Sequence, residues 1–158
     1  MKKKSFSLDK LNIDYNYILV PFSVILVSLI GSFFTQAGLD WYYSLNLPNF
    51  TPSGQVIGYA WTTIYTLLTV SILIILTEKR DTKLVKWFIL NGFLNILWTP
   101  LFFTLHSFEI AFIEIILLNL TTIYLAVKSW RISKLASILL WPYIGWGTFA
   151  TYLSFCIW

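Results

Sequence analysis

Long uncharged apolar runs, separated by short basic segments, are the feature of this sequence that most limits the folds open to it. All eleven lysine and arginine residues lie within residues 2–10, 79–86 and 128–134. Between and beyond these segments are apolar stretches of about 20 residues, the length that an α-helix needs to cross a bilayer. Charged residues make up 11% of the chain, whereas soluble domains have about 25%. The bilayer is therefore the expected solvent.

The pattern predicts an all-α membrane protein, a bundle of five transmembrane helices. A polar N-terminal segment, 1–16, precedes a single transmembrane domain, 17–158, whose first two spans are joined by a long loop, 35–55. The predicted spans are 17–34, 56–76, 84–105, 109–127 and 135–158.

The basic segments also predict an orientation. With five spans all three lie on one side of the membrane, so the positive-inside rule places the N-terminus in the cytoplasm and the C-terminus outside. We expect a multi-pass integral protein of a bacterial cell membrane, in contact with the lipid bilayer. The net charge of +4 then needs no nucleic-acid partner.

Other classes of protein fit the sequence less well. Residues 17–34 could be the apolar part of a signal peptide, with Thr35-Gln36-Ala37 as a cleavage site, but the polar lead-in is long and the run exceeds the usual length. Cys156, the single cysteine, allows no intramolecular disulfide, and no Cys/His spacing indicates a metal site. We found no phosphate-binding loop, hydrolase elbow or dinucleotide-binding glycine pattern.

The stretch from Trp41 to Tyr65 is predicted to be a lid followed by a helix. Pro48 and Pro52 each remove a backbone donor and fix φ, so the stretch cannot form one continuous helix. The part after residue 55 is apolar and carries Trp61 and Tyr65 on one helical face. The residues expected to shape the lid are Trp41, Pro48, Phe50 and Pro52.

Polar residues within the third predicted span mark one face. Asn91, Asn95 and Trp98 are spaced at helical intervals, and Pro100 predicts a kink because it frees the carbonyl of Ile96. Asparagine side chains often join membrane helices through hydrogen bonds. The spacing leaves two interpretations open, interhelical contacts or a ligand pocket.

The fifth predicted span has a bend and a stripe of small residues. Pro142 frees the carbonyl of Ile138, which predicts the bend. The stripe allows close approach of another helix, either in a dimer or within the bundle, and Trp146 lies beside it. Its members are Tyr143, Gly147, Ala150 and Ser154.

Three titratable residues lie in or near the fourth span. Glu109 is expected near a helix N-terminus, where a carboxylate is favourable. Glu114 lies about 7 Å deeper at the helical rise, and it could reach the interface, be protonated, pair within the bundle or serve as a proton site. His106 is expected to be a solvated turn residue.

Three sequence blocks carry a resemblance to the TspO/MBR family of tryptophan-rich sensory and translocator proteins. The first, WYYSLNLPNFTPS at 41–53 followed by WTTIY at 61–65, resembles the family pattern WYxxLxKPxWxPP and WxxLY, with Leu47, Phe50 and Ser53 in place of its lysine, tryptophan and second proline. The second, LNILWTPLFF at 94–103, resembles LNxxWxPxFF. The third, PYIGWGTFATYL at 142–153, resembles PYxxWxxFAxxL.

The resemblance implies a five-helix bundle, commonly a homodimer, whose loop after the first helix closes a pocket for flat apolar ligands. These ligands would be porphyrins such as protoporphyrin IX, or haem, bound without a covalent cofactor. The pocket would be lined by Trp61, Asn95 and Trp146, with Tyr65, Asn91, Trp98, Tyr143 and Ala150 nearby.

Three functions follow from these expectations. The first is tetrapyrrole binding in porphyrin handling or stress sensing. The second is light- and oxygen-dependent porphyrin degradation, for which the resemblance implies Trp61 and Trp146 as catalytic residues. The third is a transporter or a purely structural bundle, prompted by Glu114 and the small-residue stripe.

Overall fold

The structure, a computed structural model, describes residues 15–79 and 81–157, without the side chain of Thr82. Most of the predicted N-terminal segment, residues 1–14 with its four lysines, lies outside the described residues. So do Arg80 of the second basic segment and Trp158 at the end of the predicted fifth span.

The described part of the chain is all-α, which confirms the predicted class. The helices are α1 (Asn16–Ala37), α2 (Leu39–Tyr43), α3 (Gly54–Glu78), α4 (Thr82–Phe103), α5 (Phe108–Trp130), α6 (Lys134–Ile138) and α7 (Trp141–Ile157). Among these described helices, four contain stretches that are long and apolar enough to cross a membrane, namely Asn16–Ala37, Gly54–Glu78, Lys83–Phe103 and Phe108–Trp130.

The predicted fifth span is not one continuous helix. It divides into the short α6 and the 17-residue α7, with a turn at Leu139 and Leu140 between them. The physical reason is Pro142, which has no N–H to offer the carbonyl of Ile138 but is tolerated in the first turn of α7. The predicted bend is therefore confirmed as a break, whereas the count of five spanning helices is not confirmed.

Pro100 acts differently, because α4 continues through it to Phe103. The carbonyl of Ile96 loses its backbone donor at Pro100. The hydroxyl of Thr99 donates to that carbonyl at 2.9 Å instead. A neighbouring side chain therefore satisfies the freed group and the helix persists, as membrane helices require.

The long helices form a closed ring. α1 packs against α3 and α4, and α5 packs against α4, α6 and α7. α6 and α7 contact α3 and so complete the ring. Residues of α3, α4, α5, α6 and α7 face one another in a shared buried cluster inside it.

The small-residue stripe of α7 is used inside this ring. Tyr143, Gly147 and Ser154 are buried. A Cβ at Gly147 would lie 2.9 Å from the amide oxygen of Asn119 on α5, so the Asn119 side chain would have to shift to admit a larger residue. Of the two interpretations of the stripe, packing within the bundle is the one that the structure supports at this position.

Candidate ligand-binding site

A chain of hydrogen bonds joins three helices in the middle of the bundle. The hydroxyl of Tyr65 on α3 donates to the amide oxygen of Asn95 on α4 at 2.7 Å. The amide nitrogen of Asn95 donates to the hydroxyl of Tyr143 on α7 at 2.9 Å. Asn95 thus bonds to a tyrosine on each of two other helices, and we refer to Tyr65, Asn95 and Tyr143 as the central triad.

Trp61 supplies an aromatic wall to the central triad. Its ring lies 5.4 Å from that of Tyr65, with an interplanar angle of 29°. It also meets the ring of Tyr143 edge to face at 6.0 Å. Both separations are in the range of favourable aromatic pairs. The i, i+4 spacing of Trp61 and Tyr65 on α3 produces this arrangement.

Trp146 and Ala150 follow Tyr143 at helical spacing on the same face of α7. Trp146 is half-buried, packs against the central buried cluster and lies 5.5 Å from the ring of Phe149. Ala150 follows one helical turn later and is also half-buried. The structure therefore brings Trp61, the central triad and Trp146 together around one cluster.

Asn91 belongs to a different contact. Its amide nitrogen lies 2.8 Å from the hydroxyl of Thr121 and 2.9 Å from that of Thr122 on α5, and 3.3 Å from the carbonyl of Leu118. Asn91 is 1% exposed, and all three of these partners lie on α5. Of the two interpretations of the asparagines, Asn91 fits the interhelical one.

Trp98 lies towards the lid rather than at the central triad. Its ring stacks on Phe102 at 5.0 Å and packs with Tyr42 and Phe103 in a second buried cluster, which we call the lid-side cluster. Its indole nitrogen is buried and has no hydrogen-bond partner in the structure. Since Trp98 follows Asn95 by one turn, α4 connects the two clusters.

The lid contains the short helix α2. Trp41 stacks on His106 with ring centroids 3.8 Å apart, and Tyr42 is buried against Phe102 and Phe103. Burial raises the pKa of Tyr42, and the neighbouring Tyr43 adds to the shift. His106 is exposed, as expected, yet its ring is part of the lid contact.

The three lid residues that depart from the family pattern, Leu47, Phe50 and Ser53, each have a defined contact in the structure. Leu47 packs in the lid-side cluster, and Phe50 stacks on Tyr152 of α7 at 5.7 Å. Ser53 caps α3, since its hydroxyl oxygen accepts from the backbone N–H of Val56 at 3.4 Å. Pro48 and Pro52 are half-buried.

Gly38, which lies outside the sequence motifs described above, sets the position of α2. A Cβ there would overlap the backbone carbonyl of Phe103, so α4 and the start of α2 are in direct backbone contact. A glycine directly after an apolar span is a typical helix-ending signal, and this signal could have identified the position.

Glu114 is buried in the ring. It is 4% exposed, and neither carboxyl oxygen has a hydrogen-bond partner in the structure. Its side chain therefore neither reaches the interface nor forms a pair within the described residues. Glu109 is exposed in the first turn of α5, as expected.

Comparison with known proteins identifies the family. The TspO/MBR family model matches residues 18–158. The chain is 37% identical over 139 residues to the tryptophan-rich protein TspO of Archaeoglobus fulgidus, covering 85% of this chain and 90% of that protein. It is 30% identical over 135 residues to the human translocator protein, covering 82% and 80%.

A further relative is the tryptophan-rich sensory protein of Cereibacter sphaeroides, 29% identical over 119 residues and covering 73% of each chain. With four apolar helices of spanning length, the chain is a multi-pass integral membrane protein. The match runs through α1 to α7 and includes every residue of the central triad, so the chain belongs to the TspO/MBR family.

Proposed function

We propose that this protein binds a tetrapyrrole, protoporphyrin IX or haem, at the central triad, and acts in porphyrin handling or stress sensing. The observation that carries the proposal is the joining of Tyr65, Asn95 and Tyr143 beside Trp61 in the bundle. Ligand pockets typically combine apolar and aromatic walls with a few converging polar groups.

The chemistry of these side chains fits a flat apolar ring with polar substituents. Trp61, Tyr65 and Trp146 are half-buried rings that offer stacking faces, while the Asn95 amide, which bonds to both tyrosines in the structure, could exchange one of these partners for a polar substituent of the ligand. Among the described residues around the central triad, the tyrosine hydroxyl groups are the kind that ligates haem iron. Because Trp61 and Tyr65 already stack on each other, binding requires these rings to move.

A titration tests the proposal. We expect the purified protein in detergent to shift the Soret band of protoporphyrin IX saturably. A Trp61→Ala/Trp146→Ala variant should bind roughly tenfold more weakly or worse, because each aromatic contact contributes about 0.5–1.5 kcal/mol beyond burial.

The matched control removes two exposed tryptophans instead, Trp130→Ala/Trp141→Ala, and should bind like the parent protein. Asn95→Leu provides a second loss-of-binding variant if the double variant does not fold. Absence of saturable binding by the parent protein, or equal binding by the site and control variants, would contradict the proposal.

Porphyrin degradation by light and oxygen is the second candidate. It is favoured by the packing of Trp61 and Trp146 against the same buried cluster, where both indoles would border one ligand. Illumination should then bleach the Soret band faster in the complex than for free porphyrin in the same detergent. Equal bleaching rates would exclude this activity and leave the binding proposal intact.

Transport is the third candidate, and the buried Glu114 favours it. In hydrocarbon an ionisable residue commonly marks a pathway. Porphyrin flux into proteoliposomes should then exceed that into empty liposomes and fall in Glu114→Gln. Equal flux in all three preparations would exclude transport.

We also propose that α6 and α7 together form a fifth span of a bacterial cell-membrane protein, with the N-terminus in the cytoplasm and the C-terminus outside. The supporting observation is that α6 and α7 close the helix ring between α3 and α5. Reporters fused to each terminus should appear on opposite sides of the membrane, whereas four spans would place them on the same side.

A homodimer is proposed as well, on the family resemblance. Because Gly147 of the small-residue stripe already packs against α5 within the bundle, we expect the dimer interface to use a face other than this stripe of α7. The mass of the protein in detergent, measured by light scattering, distinguishes one copy from two.

A further inference from the structure

The end of the bundle away from the lid carries a recess of about 290 Å³ that none of the functions above uses. It lies between the α3–α4 turn and the α5–α6 turn, which approach each other there although they are about 50 positions apart in sequence. We call it the basic recess. Its lining is Lys79, Asp81, Lys83, Leu84, Trp87, Tyr124, Lys128, Arg131 and Ile132.

Positive charge dominates the basic recess. Four cationic side chains face one acidic side chain, Asp81. The carboxylate of Asp81 is engaged in capping α4, where it accepts from the backbone N–H groups of Lys83 and Leu84 at 3.0 and 3.2 Å. The recess therefore has an excess of donors suited to a phosphate or another anion.

Helix dipoles explain only part of this cluster. Lys79 follows the end of α3, and Lys128 lies in the last turn of α5, where cations are favourable. Lys83 lies in the first turn of α4, where the dipole disfavours a cation. The helix dipole therefore does not account for Lys83 in the lining.

The walls of the recess suit the edge of a bilayer. The rings of Trp87 and Tyr124 lie 4.5 Å apart, and the ammonium of Lys128 lies 5.4 Å from the centre of the Tyr124 ring. Tryptophan and tyrosine are enriched at the level of lipid headgroups. One helical turn further along α4 and α5, away from the recess, apolar side chains are exposed, among them Leu90 and Leu120.

We propose that the basic recess binds the phosphate headgroup of an anionic phospholipid, whose acyl chains run along the exposed apolar faces of α4 and α5. The continuity of cations, aromatic rings and apolar surface favours a lipid over a free phosphate ion. Basic pockets between transmembrane helices are known to hold anionic headgroups in this manner.

The test compares two charge-matched variants of the full chain in a neutral detergent. Binding of phosphatidylglycerol is measured by native mass spectrometry, with phosphatidylcholine as the zwitterionic comparison. Lys83→Gln/Arg131→Gln removes two cations of the recess, and Lys86→Gln/Lys134→Gln removes two neighbouring cations that do not line it. We expect the first variant to lose roughly thirtyfold in affinity for phosphatidylglycerol and the second to lose little.

Equal losses in the two variants would overturn the proposal, because they would reflect general surface charge. So would equal binding of phosphatidylcholine and phosphatidylglycerol. A third arm adds inorganic phosphate at millimolar concentration. Displacement of the lipid by phosphate would overturn the lipid assignment in favour of a soluble anion. Porphyrin binding by both variants should stay unchanged, so the outcome is separate from the proposed function.

Discussion

Asn91 and Asn95 lie one helical turn apart on α4 and contact different helices. Asn91 bonds to α5, whereas Asn95 bonds to Tyr65 of α3 and Tyr143 of α7. The difference arises because α4 is bordered by α5 along one side while Asn95 faces the interior of the ring. Two asparagines with the same spacing signal therefore have separate roles.

Replacing Asn91 with leucine should destabilise the bundle without touching the central triad. We expect the free energy of unfolding to fall by about 1 kcal/mol, the usual scale of a side-chain hydrogen bond between membrane helices. Thermal unfolding in detergent measures the change. The control is Thr66→Val, an exposed residue bonded within its own helix, which should change stability by less than about 0.5 kcal/mol. Equal effects of the two changes would contradict this role of Asn91.

Glu114 is a buried acid without a hydrogen-bond partner in the structure. A charge left unpaired in an apolar interior is costly, and replacement of such groups by neutral ones is often stabilising. An ionisable residue in such a position is a hypothesis for a functional site.

Glu114→Gln should consequently keep or raise the stability of the protein, by up to about 1 kcal/mol. The measurement is again unfolding in detergent. The matched change Glu109→Gln, at an exposed position near the start of α5, should cost a few tenths of a kcal/mol through the helix dipole. A loss of more than about 1 kcal/mol on Glu114→Gln would show instead that the carboxyl group stabilises the fold.

At the scale of elements, the lid is held by backbone contact as well as by aromatic packing. α2 begins directly after Gly38, which touches the backbone of Phe103 at the end of α4. Gly31 and Gly92 lie at the contact of α1 with α4, but a Cβ there would be 3.8 Å from the side chain of Thr99 and 3.7 Å from that of Val27, which are ordinary van der Waals distances. Of these three glycines, Gly38 is therefore the one whose backbone contact leaves no room for a side chain.

Gly38→Ala should destabilise the lid end by about 1–3 kcal/mol, because the added methyl group meets a backbone carbonyl that cannot turn away. The control is Gly58→Ala in α3, where a Cβ meets open space and should stabilise the helix by about 0.5–1 kcal/mol. Opposite signs in thermal unfolding are expected. Two changes of the same sign would contradict the contact at Gly38.

At the scale of the whole molecule, the candidate site exists because closure of the helix ring brings α7 against the neighbouring helices α3 and α4. α3 brings the tryptophan wall, α4 the amide and α7 the second tyrosine. Ligand binding at such a site should stabilise the bundle as a unit.

Protoporphyrin IX at a hundred times its dissociation constant should raise the free energy of unfolding by about 2.7 kcal/mol. Asn95→Leu should lose most of this stabilisation, whereas Asn91→Leu should retain it although both variants start less stable. Unfolding curves with and without ligand provide the measurement. Equal ligand stabilisation in the two variants would show that the ligand does not bind at the central triad.

Much of the membrane architecture follows from the sequence. The absence of charge over bilayer-length runs requires helices, because backbone groups in hydrocarbon must bond within their own segment. Pro142 could also be recognised as a break, because its missing N–H is a local property. Through the family resemblance, Asn95 was predicted to line the pocket and Tyr65 and Tyr143 to lie nearby, but their bonding to one another was not predicted. Spacing could not distinguish Asn91 from Asn95.

The uncharged runs and basic segments by themselves determined that the chain is helical and membrane-embedded. They could not determine which helices are neighbours, because every apolar face is equally compatible with lipid and with another helix. Only the tertiary structure decided that Trp61 meets Tyr143, that Trp98 belongs to the lid-side cluster and that two basic turns form one recess. Those contacts depend on ring closure and close glycine packing, which arise between segments far apart in the chain.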